Sequence, residues 1–440
     1  MKLQVAIVGA GPAGLFAAEK LAHEGFGVAI INRDIKPGGM AEYGIFPDKH
    51  NLKNGLRRQF QSILSSEKIL YFGNLPVGID KCIHLEDLLE WGFDAVLVAS
   101  GAQGTKWLGI PGEKLAGVYH AKEVVYNYNK LPPFSMHDIK VGKRAAIVGV
   151  GNVMADVTHY LVKYREAEEI YVIGRRGPAE VKFDKKELEA IINSFDLQDL
   201  DAEIARVAPV MNALGQNPEA EKSFILSALE KGAPREGKAT IKIRFLTSPR
   251  EIIGDSDGNV SALVVEDNTL ILDNGYVAAK GTGHFHTMDM DTVIFAIGDR
   301  VEEELGLPVD RNEYRCAKNP TYAIEGQSYE VEDPQTGAAL KGMFVAGWAR
   351  KPSSGLVGNA KKDGTNSAAA IIQYLNALDQ KMGIDSVLLQ KRLSSQSCPV
   401  VDKEGLARLN ENEKMCACEL GLPEFKYRTN EEMLKAIGLT

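Results

Sequence analysis

Two glycine-rich turns, each between a run of apolar residues and a helical stretch, predict an α/β fold with two Rossmann-like dinucleotide-binding domains. The first turn covers residues 9–14 and the second covers residues 149–154. Apolar runs at 291–298 and 341–347 predict two strands that return the chain to the first domain. We therefore expect a discontinuous first domain, at residues 1–110 and 316–440, with the second domain inserted at 111–315.

Composition and charge argue against several classes of protein. The chain has 440 residues, of which 45% are hydrophobic, and this is enough material for two or three cores. Its formal net charge of −8 at pH 7 argues against general nucleic-acid binding, which needs a basic face. We expect no membrane span, because the sequence lacks a run of about 18 apolar residues.

The cysteine pattern argues against a dithiol redox centre, because none of the five cysteines forms a CxxC motif. This usage fits the reducing cytoplasm. Cys398, Cys416 and Cys418 could supply three thiolates to a metal ion, but no clear fourth ligand accompanies them. We therefore expect these thiols to be free and no metal to be bound.

The first turn follows an apolar strand at residues 5–8 and precedes a helix expected over residues 15–24. Gly9 allows the tight turn, and Gly11 lets the backbone approach a pyrophosphate. Gly14 lets the helix lie close to the strand, so that the N–H groups at the helix N-terminus face the anion. A dinucleotide is therefore the expected ligand of the first domain.

The second strand of the first domain ends at Asn32, where a Rossmann unit usually has an acidic residue that binds the ribose hydroxyls. The Asn32 amide can accept a hydrogen bond but carries no charge. The neighbouring Arg33 and Asp34 are the residues that could compensate. This departure leaves open a module with an altered cofactor or without catalytic activity.

The second turn repeats the first pattern, with Gly149 and Gly151 in the turn and Met154 in place of the third glycine. The helix is expected over residues 153–164, with Asp156 in its first turn. Asp156 could stabilise the positive end of the helix or relay protons, and the sequence does not choose between these roles.

The strand after this helix ends in Arg175 and Arg176. Basic residues at this position suit a ribose 2′-phosphate, so they favour NADP over NAD. A basic turn that only faces solvent is the alternative.

The strand at 341–347 ends on Trp348, and a turn rich in Pro, Ser and Gly leads from it to a helix expected over residues 365–375. In flavoproteins with two dinucleotide domains, such a strand returns the chain beneath the flavin, where helix N–H groups can stabilise negative charge. A plain core position is the alternative for Trp348.

These motifs together resemble the adrenodoxin reductase type of ferredoxin–NADP reductase, over nearly the whole chain. The stretches that carry the resemblance are residues 9–14, 47–48, 71–78, 110–112, 149–153, 174–178, 186–188, 347–348, 354–355 and 432–434. Small subunits of glutamate synthase are similar in their flavin core, but they begin with a cysteine-rich domain, whereas this chain starts at the flavin strand.

The resemblance implies the cofactors FAD and NADP(H) and a set of contacts to each. FAD contacts are implied at Ala13, Asn32, Met40, Leu75, Trp348, Gly355, Leu356 and Val357. NADP contacts are implied at Asn152, Val153, Met154, Ala155, Arg175, Arg176, Glu187 and Gly355. The family has Glu where this chain has Asn32, and it has Pro-Asp-His where this chain has Pro-Asp-Lys49-His50. His50 and Asp156 are the residues expected to exchange protons with the flavin through water.

The implied function is a FAD-dependent NADPH oxidoreductase that passes electrons between NADPH and a one-electron carrier, such as ferredoxin or a similar small acidic protein. A second possibility is a flavin subunit that works with a partner subunit in a larger NADPH-dependent complex and reduces a small molecule, as in glutamate synthase. The altered-cofactor module suggested by Asn32 is the third.

Overall fold

The computed structural model describes residues 1–439, which contain twenty strands and thirteen α-helices. The strands are β1 (Lys2–Leu3), β2 (Val5–Val8), β3 (Val28–Ile31), β4 (Ile69–Phe72), β5 (Ala95–Val98), β6 (Gly104–Thr105), β7 (Val118–His120), β8 (Arg144–Val148), β9 (Glu169–Ile173), β10 (Thr240–Arg244), β11 (Thr247–Gly254), β12 (Val260–Asp273), β13 (Tyr276–Asp289), β14 (Thr292–Phe295), β15 (Asp299–Arg300), β16 (Val309–Asp310), β17 (Glu313–Tyr314), β18 (Glu330–Glu332), β19 (Ala339–Val345) and β20 (Ile384–Asp385). The helices are α1 (Pro12–His23), α2 (Met40–Tyr43), α3 (His50–Leu64), α4 (Leu85–Glu90), α5 (Ala121–Tyr128), α6 (Asn152–Tyr164), α7 (Lys185–Leu188), α8 (Leu197–Ala213), α9 (Pro218–Leu226), α10 (Val357–Ala377), α11 (Ser386–Ser394), α12 (Lys403–Glu419) and α13 (Asn430–Ala436).

The chain divides into two compact units. The first unit contains Met1–Thr105, Tyr128–Met136 and the chain from Gly298 onwards, and the second contains Lys106–Asn127 and His137–Ile297. This division differs from the expected boundaries at 110 and 315. The chain re-enters the first unit at Gly298 because β15 pairs with β6 immediately afterwards.

The first unit is built on a six-stranded sheet with the order β18-β19-β5-β2-β3-β4. All neighbouring strands from β19 to β4 are parallel, and β18 is antiparallel to β19. Every residue of β2, β3 and β5 is buried, as expected for central parallel strands with both faces covered. Helix α10 packs closely on α1 because Gly364 has no side chain; a Cβ there would overlap the carbonyl oxygen of Ala13.

The second unit is built on a parallel five-stranded sheet with the order β10-β9-β8-β14-β7. A separate antiparallel sheet, with the order β11-β12-β13, packs against it through a shared apolar cluster. Val148, Ile173 and Phe295 come from the parallel sheet, and Leu263 and Val265 come from the antiparallel one.

Two expected helices begin earlier in the structure than the sequence indicated. The first begins at Pro12 instead of residue 15, since proline at the first helical position is compatible with the turn. Helix α10 begins at Val357 instead of residue 365. Its first turns contain Gly358 and several polar residues, so their helical period is weak, whereas the apolar residues that reveal the helix come later.

The expectation that Cys398 is a free thiol is wrong, because the structure joins it to Cys82 in a disulfide. The two residues are 316 positions apart in sequence, so no local pattern could show the pairing. Cys316, Cys416 and Cys418 are free. Within residues 1–439, no three or more His, Cys, Asp or Glu side chains are grouped in a way that could hold a metal ion. None of the helices in this range is long and apolar enough to cross a membrane.

Candidate nucleotide-binding sites

The first glycine turn has the backbone geometry that a dinucleotide cradle requires. Gly9 has a φ of +108°, and a Cβ there would lie 2.5 Å from the carbonyl oxygen of Ala99. A Cβ at Gly14 would overlap the carbonyl oxygen of Gly9. The turn therefore demands glycine at both positions, for its backbone conformation at Gly9 and for close packing of α1 on the strand at Gly14.

Space for a ligand remains at the second glycine of this turn. Gly11 is the N-cap of α1, with a φ of −73°, and the nearest atom to a Cβ there would be the Ala99 carbonyl oxygen at 4.0 Å. No side chain caps α1, so its first N–H groups, including that of Ala13, are available to an anion. These residues fit the pyrophosphate of FAD.

Asn32 is 8% exposed and binds the backbone on both sides of this cradle. Its Oδ1 accepts a hydrogen bond of 2.9 Å from the N–H of Ala10. Its Nδ2 donates to the carbonyl oxygens of Asp34 and Lys36, at 2.8 and 3.2 Å. The amide thus ties the glycine turn to the loop after β3, which a carboxylate could not do because it has no donor.

The loop after β3 also passes directly beside the glycine turn. Gly38 has a φ of +113°, and its N–H donates to the carbonyl oxygen of Ala10 at 2.7 Å. A Cβ at Gly39 would lie 3.2 Å from the Cα of Gly11. The loop leads into α2, where Met40 is half-buried. Leu75 is fully buried in the apolar core, and its N–H donates to the Asn32 carbonyl oxygen at 2.9 Å.

A buried charge cluster holds α2 from the side of the C-terminal segment. Glu42 on α2 lies 2.6 Å from Arg57, 2.8 Å from Lys426 and 3.8 Å from Lys36. Lys36 also pairs with Glu413 on α12. Burial raises the pKa of Glu42, but Lys426, Lys36 and Arg57 outweigh this effect and hold it well below its usual range. Sequence reasoning missed this cluster, because it joins two parts of the chain that are hundreds of residues apart.

The return strand β19 leads to Gly347, which lies against α1. Gly347 has a φ of +66°, and a Cβ there would lie 2.7 Å from the Cβ of Ala13. The Gly347 N–H donates to Asp363 at 2.6 Å. Trp348 is half-buried, and its indole N–H donates to the Ser354 carbonyl oxygen at 3.1 Å, so it is more than an apolar core residue.

The start of α10 is open in the same way as the start of α1. Gly355 has a φ of +71°, and the exposed Leu356 is the N-cap of the helix. No side chain caps α10, so the N–H groups from Val357 onwards can face negative charge. This is the segment for which flavin contacts were predicted.

The second glycine turn has the same construction. Gly149 has a φ of +129°, and a Cβ there would overlap the Ala296 carbonyl oxygen. A Cβ at Gly151 would meet nothing within 4 Å, and no side chain caps α6. Met154, which replaces the third glycine, is fully buried. These residues fit the pyrophosphate of NADP(H).

The side chains at the start of α6 have different environments. Ala155 is buried, whereas Val153 is 40% exposed. Asn152 exchanges two hydrogen bonds with Asp184, in which its Nδ2 donates to Oδ2 at 2.8 Å and its Oδ1 accepts from the backbone N–H at 2.7 Å. Asp184 is the N-cap of α7, which carries the half-buried Glu187.

The arginine pair lies directly after β9. Arg175 is exposed and Arg176 is half-buried. The structure shows no hydrogen-bond or ion-pair partner for either guanidinium within residues 1–439. Their backbone carbonyl oxygens accept hydrogen bonds from the Asn268 Nδ2 at 2.9 Å and from the Leu246 N–H at 3.1 Å. Two guanidinium groups that make no internal ion pair are available for an anionic ligand.

The two predicted proton-transfer residues lie near the starts of two helices. His50 is the first residue of α3 and is half-buried. Asp156 is half-buried and is the fifth residue of α6, so the expectation that it lies in the first turn is wrong. The helix starts at Asn152, and the dipole effect decreases beyond the first turn. The catalytic roles of both residues stay predictions.

Comparison with known proteins agrees with this architecture. Residues 3–200 match the family described as pyridine nucleotide-disulphide oxidoreductase. The chain is 30% identical to the NADPH-ferredoxin reductase FprA of Mycobacterium tuberculosis, over 84% of each chain. It is 28% identical to the mitochondrial NADPH:adrenodoxin oxidoreductase of Arabidopsis thaliana, over 99% of this chain and 95% of that one.

A solved structure extends the similarity to three dimensions. Mycobacterium tuberculosis FprA in complex with NADPH superposes with a TM-score of 0.82 and 26% identity, over the full length of both chains. The predicted α/β fold with two Rossmann-like domains is therefore confirmed. The two glycine turns, the arginine pair and these similarities show that the chain belongs to the adrenodoxin reductase type of the ferredoxin–NADP reductase family.

Proposed function

We propose that this protein is a FAD-dependent NADPH oxidoreductase that passes electrons between NADPH and a one-electron carrier such as ferredoxin. The observation that carries the proposal is the pair of open glycine turns, of which the second is followed by two arginines without an internal ion pair. The relatives named above as NADPH-ferredoxin and NADPH:adrenodoxin reductases support it.

The first cradle binds and orients FAD. When bound, FAD would supply a ring that accepts a hydride from NADPH and releases electrons singly. The N–H groups at the start of α1 would hold the pyrophosphate, and those from Val357 onwards would stabilise negative charge on the ring system. Asn32 keeps the loop after β3 closed against the turn. Trp348 is oriented on the return segment by the hydrogen bond from its indole N–H to the Ser354 carbonyl oxygen.

The second cradle binds NADPH. The N–H groups at the start of α6 face the pyrophosphate, and Arg175 and Arg176 bind the 2′-phosphate. His50 and Asp156 hold the protons that are exchanged through water during reduction. No side chain forms a covalent bond in this scheme, since the protein contributes proximity and electrostatics.

The electron partner is a small acidic carrier of the ferredoxin kind. The names of the relatives support ferredoxin or adrenodoxin as the chemical class. The cytoplasmic location stays a prediction, to be tested by cell fractionation, since a mitochondrial protein is among the similar chains.

Anaerobic stopped-flow absorbance of the purified, yellow protein tests the proposal. NADPH should bleach the flavin faster than NADH does, and the reduced protein should then reduce a ferredoxin in single-electron steps. Protein that binds no flavin on reconstitution would contradict the proposal. So would equal bleaching rates with the two nucleotides, or reduced protein that transfers electrons to no ferredoxin or flavodoxin in a panel of both.

A further inference from the structure

The turn that carries the arginine pair is held by the antiparallel sheet. Three consecutive carbonyl oxygens of this turn accept hydrogen bonds from that sheet or from Leu246, the residue immediately before β11. Thr247 N–H donates to Gly174 at 3.0 Å, Asn268 Nδ2 donates to Arg175 at 2.9 Å, and Leu246 N–H donates to Arg176 at 3.1 Å. The peptide planes of the turn are thereby fixed from one side.

Asn268 is the β12 residue whose side chain binds this turn directly. Its side chain is buried, with a total exposure of 5% for the residue, and its Nδ2 also donates to the Ser248 Oγ at 2.8 Å. Its own backbone N–H donates to the Leu246 carbonyl oxygen at 2.7 Å. Asn268 therefore binds Arg175 directly and supports Leu246, which in turn binds Arg176.

The backbone around Asn268 departs from regular strand geometry at two places. The register of β12 against β13 shifts between Glu266 and Asn268, and this irregularity accompanies the inward position of the amide. Leu246 has a φ of +46°, which is uncommon for a residue other than glycine. Such a conformation persists only where surrounding contacts determine it, and here they are the bonds to Asn268 and Arg176.

Fixing the carbonyl oxygens of the turn also fixes the direction of both Cα–Cβ bonds. The arginine side chains then begin from a defined position, although they have no internal partner to hold them. A guanidinium group binds a phosphate most tightly when the protein already holds it in the binding orientation.

We propose that Asn268 is a positioning residue for the turn of Arg175 and Arg176, and that it thereby sets the preference of the second cradle for a nucleotide with a 2′-phosphate. The inference rests on the proposed function, in which this cradle binds NADPH. It adds a residue outside the glycine turn and outside the phosphate contacts.

Calorimetric titration of the FAD-loaded protein with 2′,5′-ADP and with ADP tests the inference. Wild type should bind 2′,5′-ADP more tightly. The Asn268→Ala variant should lose about 5- to 10-fold in affinity for 2′,5′-ADP, corresponding to one buried hydrogen bond, and less than about 2-fold for ADP. In kinetics, the same variant should raise KM for NADPH and leave kcat unchanged.

Two further variants keep the test informative. Ser248→Ala retains the bond to Arg175 but removes the other acceptor of the Asn268 amide, so it should shift the affinity ratio in the same direction by a smaller factor. Ser261→Ala is the matched control, because Ser261 lies in the same strand as Asn268 but its hydroxyl donates to the Ile253 carbonyl oxygen, away from the turn. The control should leave the ratio unchanged.

The outcomes separate this inference from the proposed function. If wild type does not prefer 2′,5′-ADP, the assignment of NADPH to this cradle fails, and the role of Asn268 fails with it. If wild type shows the preference and Asn268→Ala keeps it, only the positioning role is overturned. Equal losses for 2′,5′-ADP and ADP would show a purely structural residue and would also overturn it.

Discussion

Replacement of Arg175 and Arg176 by Ala, singly and together, gives the most direct test of the second cradle. Neither guanidinium makes a hydrogen bond or ion pair within residues 1–439, so no internal interaction is lost with it. We therefore expect the free energy of unfolding to change by less than about 0.5 kcal/mol, as for other surface substitutions. The substitutions should instead weaken binding of the nucleotide.

The expected magnitude follows from the exposure of each side chain. A charge-assisted hydrogen bond contributes about 1.5–3 kcal/mol. Arg175 is exposed and screened by water, so its loss should lower kcat/KM for NADPH by about 10-fold. Arg176 is half-buried, and its loss should approach about 100-fold. NADH has no 2′-phosphate, so its kcat/KM should change by less than about 2-fold.

Steady-state kinetics with both nucleotides, using the purified single and double variants, measures these factors. A double variant at Lys238 and Lys280 is the control, because it removes two exposed cations of the same unit that lie outside the turn. It should keep the nucleotide preference of wild type. A double arginine variant that still prefers NADPH would refute the assignment, and equal losses with NADPH and NADH would show damage to the cradle as a whole.

Three further predictions concern the first unit. Gly11→Ala should leave the fold intact and weaken FAD binding by at least about 10-fold, because the added Cβ has space in the protein but would meet the pyrophosphate. Gly9→Ala should instead destabilise the fold itself. Measurements of flavin content and of thermal unfolding distinguish the two variants. Glu42→Gln should lower the free energy of unfolding in urea by about 3–5 kcal/mol, because three cations lose their shared carboxylate. Burial lowers the pKa of Lys53 to about 8, so between pH 8 and 10.5 the unfolded chain binds more protons than the folded one, and the free energy of unfolding should rise by up to about 3 kcal/mol. Lys53→Met should abolish this rise. Urea titrations across this pH range measure it.

Each of these three predictions has a control or a result that would contradict it. For Glu42, the exposed pair of Glu325 and Lys362 serves, and Glu325→Gln should leave the free energy of unfolding nearly unchanged. An equally small change at Glu42 would contradict the importance of the charge cluster. A Gly11→Ala protein with full flavin content would show that the pyrophosphate lies elsewhere. For Lys53, an equal rise in stability in wild type and Lys53→Met would remove this amine as its cause.

The parts of the fold that could be predicted from the sequence are those with local signals. The turns at Gly9 and Gly149 lie between an apolar strand and a helix, and the conformation of each turn requires glycine, so a few adjacent residues were sufficient. The position of the arginine pair after β9 also follows from a local pattern, because the apolar strand and the two arginines are adjacent in sequence. The start of α10 was missed because glycine and polar residues obscure its first turns, and the misplacement of Asp156 followed from a helix boundary.

The parts that could not be predicted depend on residues far apart in sequence. The disulfide of Cys82 and Cys398 and the ion pair of Glu42 and Lys426 have no local signature. For Asn268 a weak signal did exist, because three polar residues at 266–268 interrupt the apolar alternation of β12. That interruption indicates a bulge, but which carbonyl the amide would reach depends on the packing of the two sheets.

Buried asparagine amides have the same physical role in both cradles. Asn32 binds an N–H of the glycine turn with its oxygen and two loop carbonyl oxygens with its nitrogen, and Asn268 binds the carbonyl oxygen of Arg175. Both loops follow the second strand of a Rossmann unit, where the nucleotide ribose is expected. An amide both donates and accepts, so it can fix such a loop before the ligand arrives, whereas a carboxylate accepts only. Because both ends of the Asn32 amide bind the protein backbone, we expect Asn32 to preorganise this loop, and preorganisation lowers the entropic cost of binding.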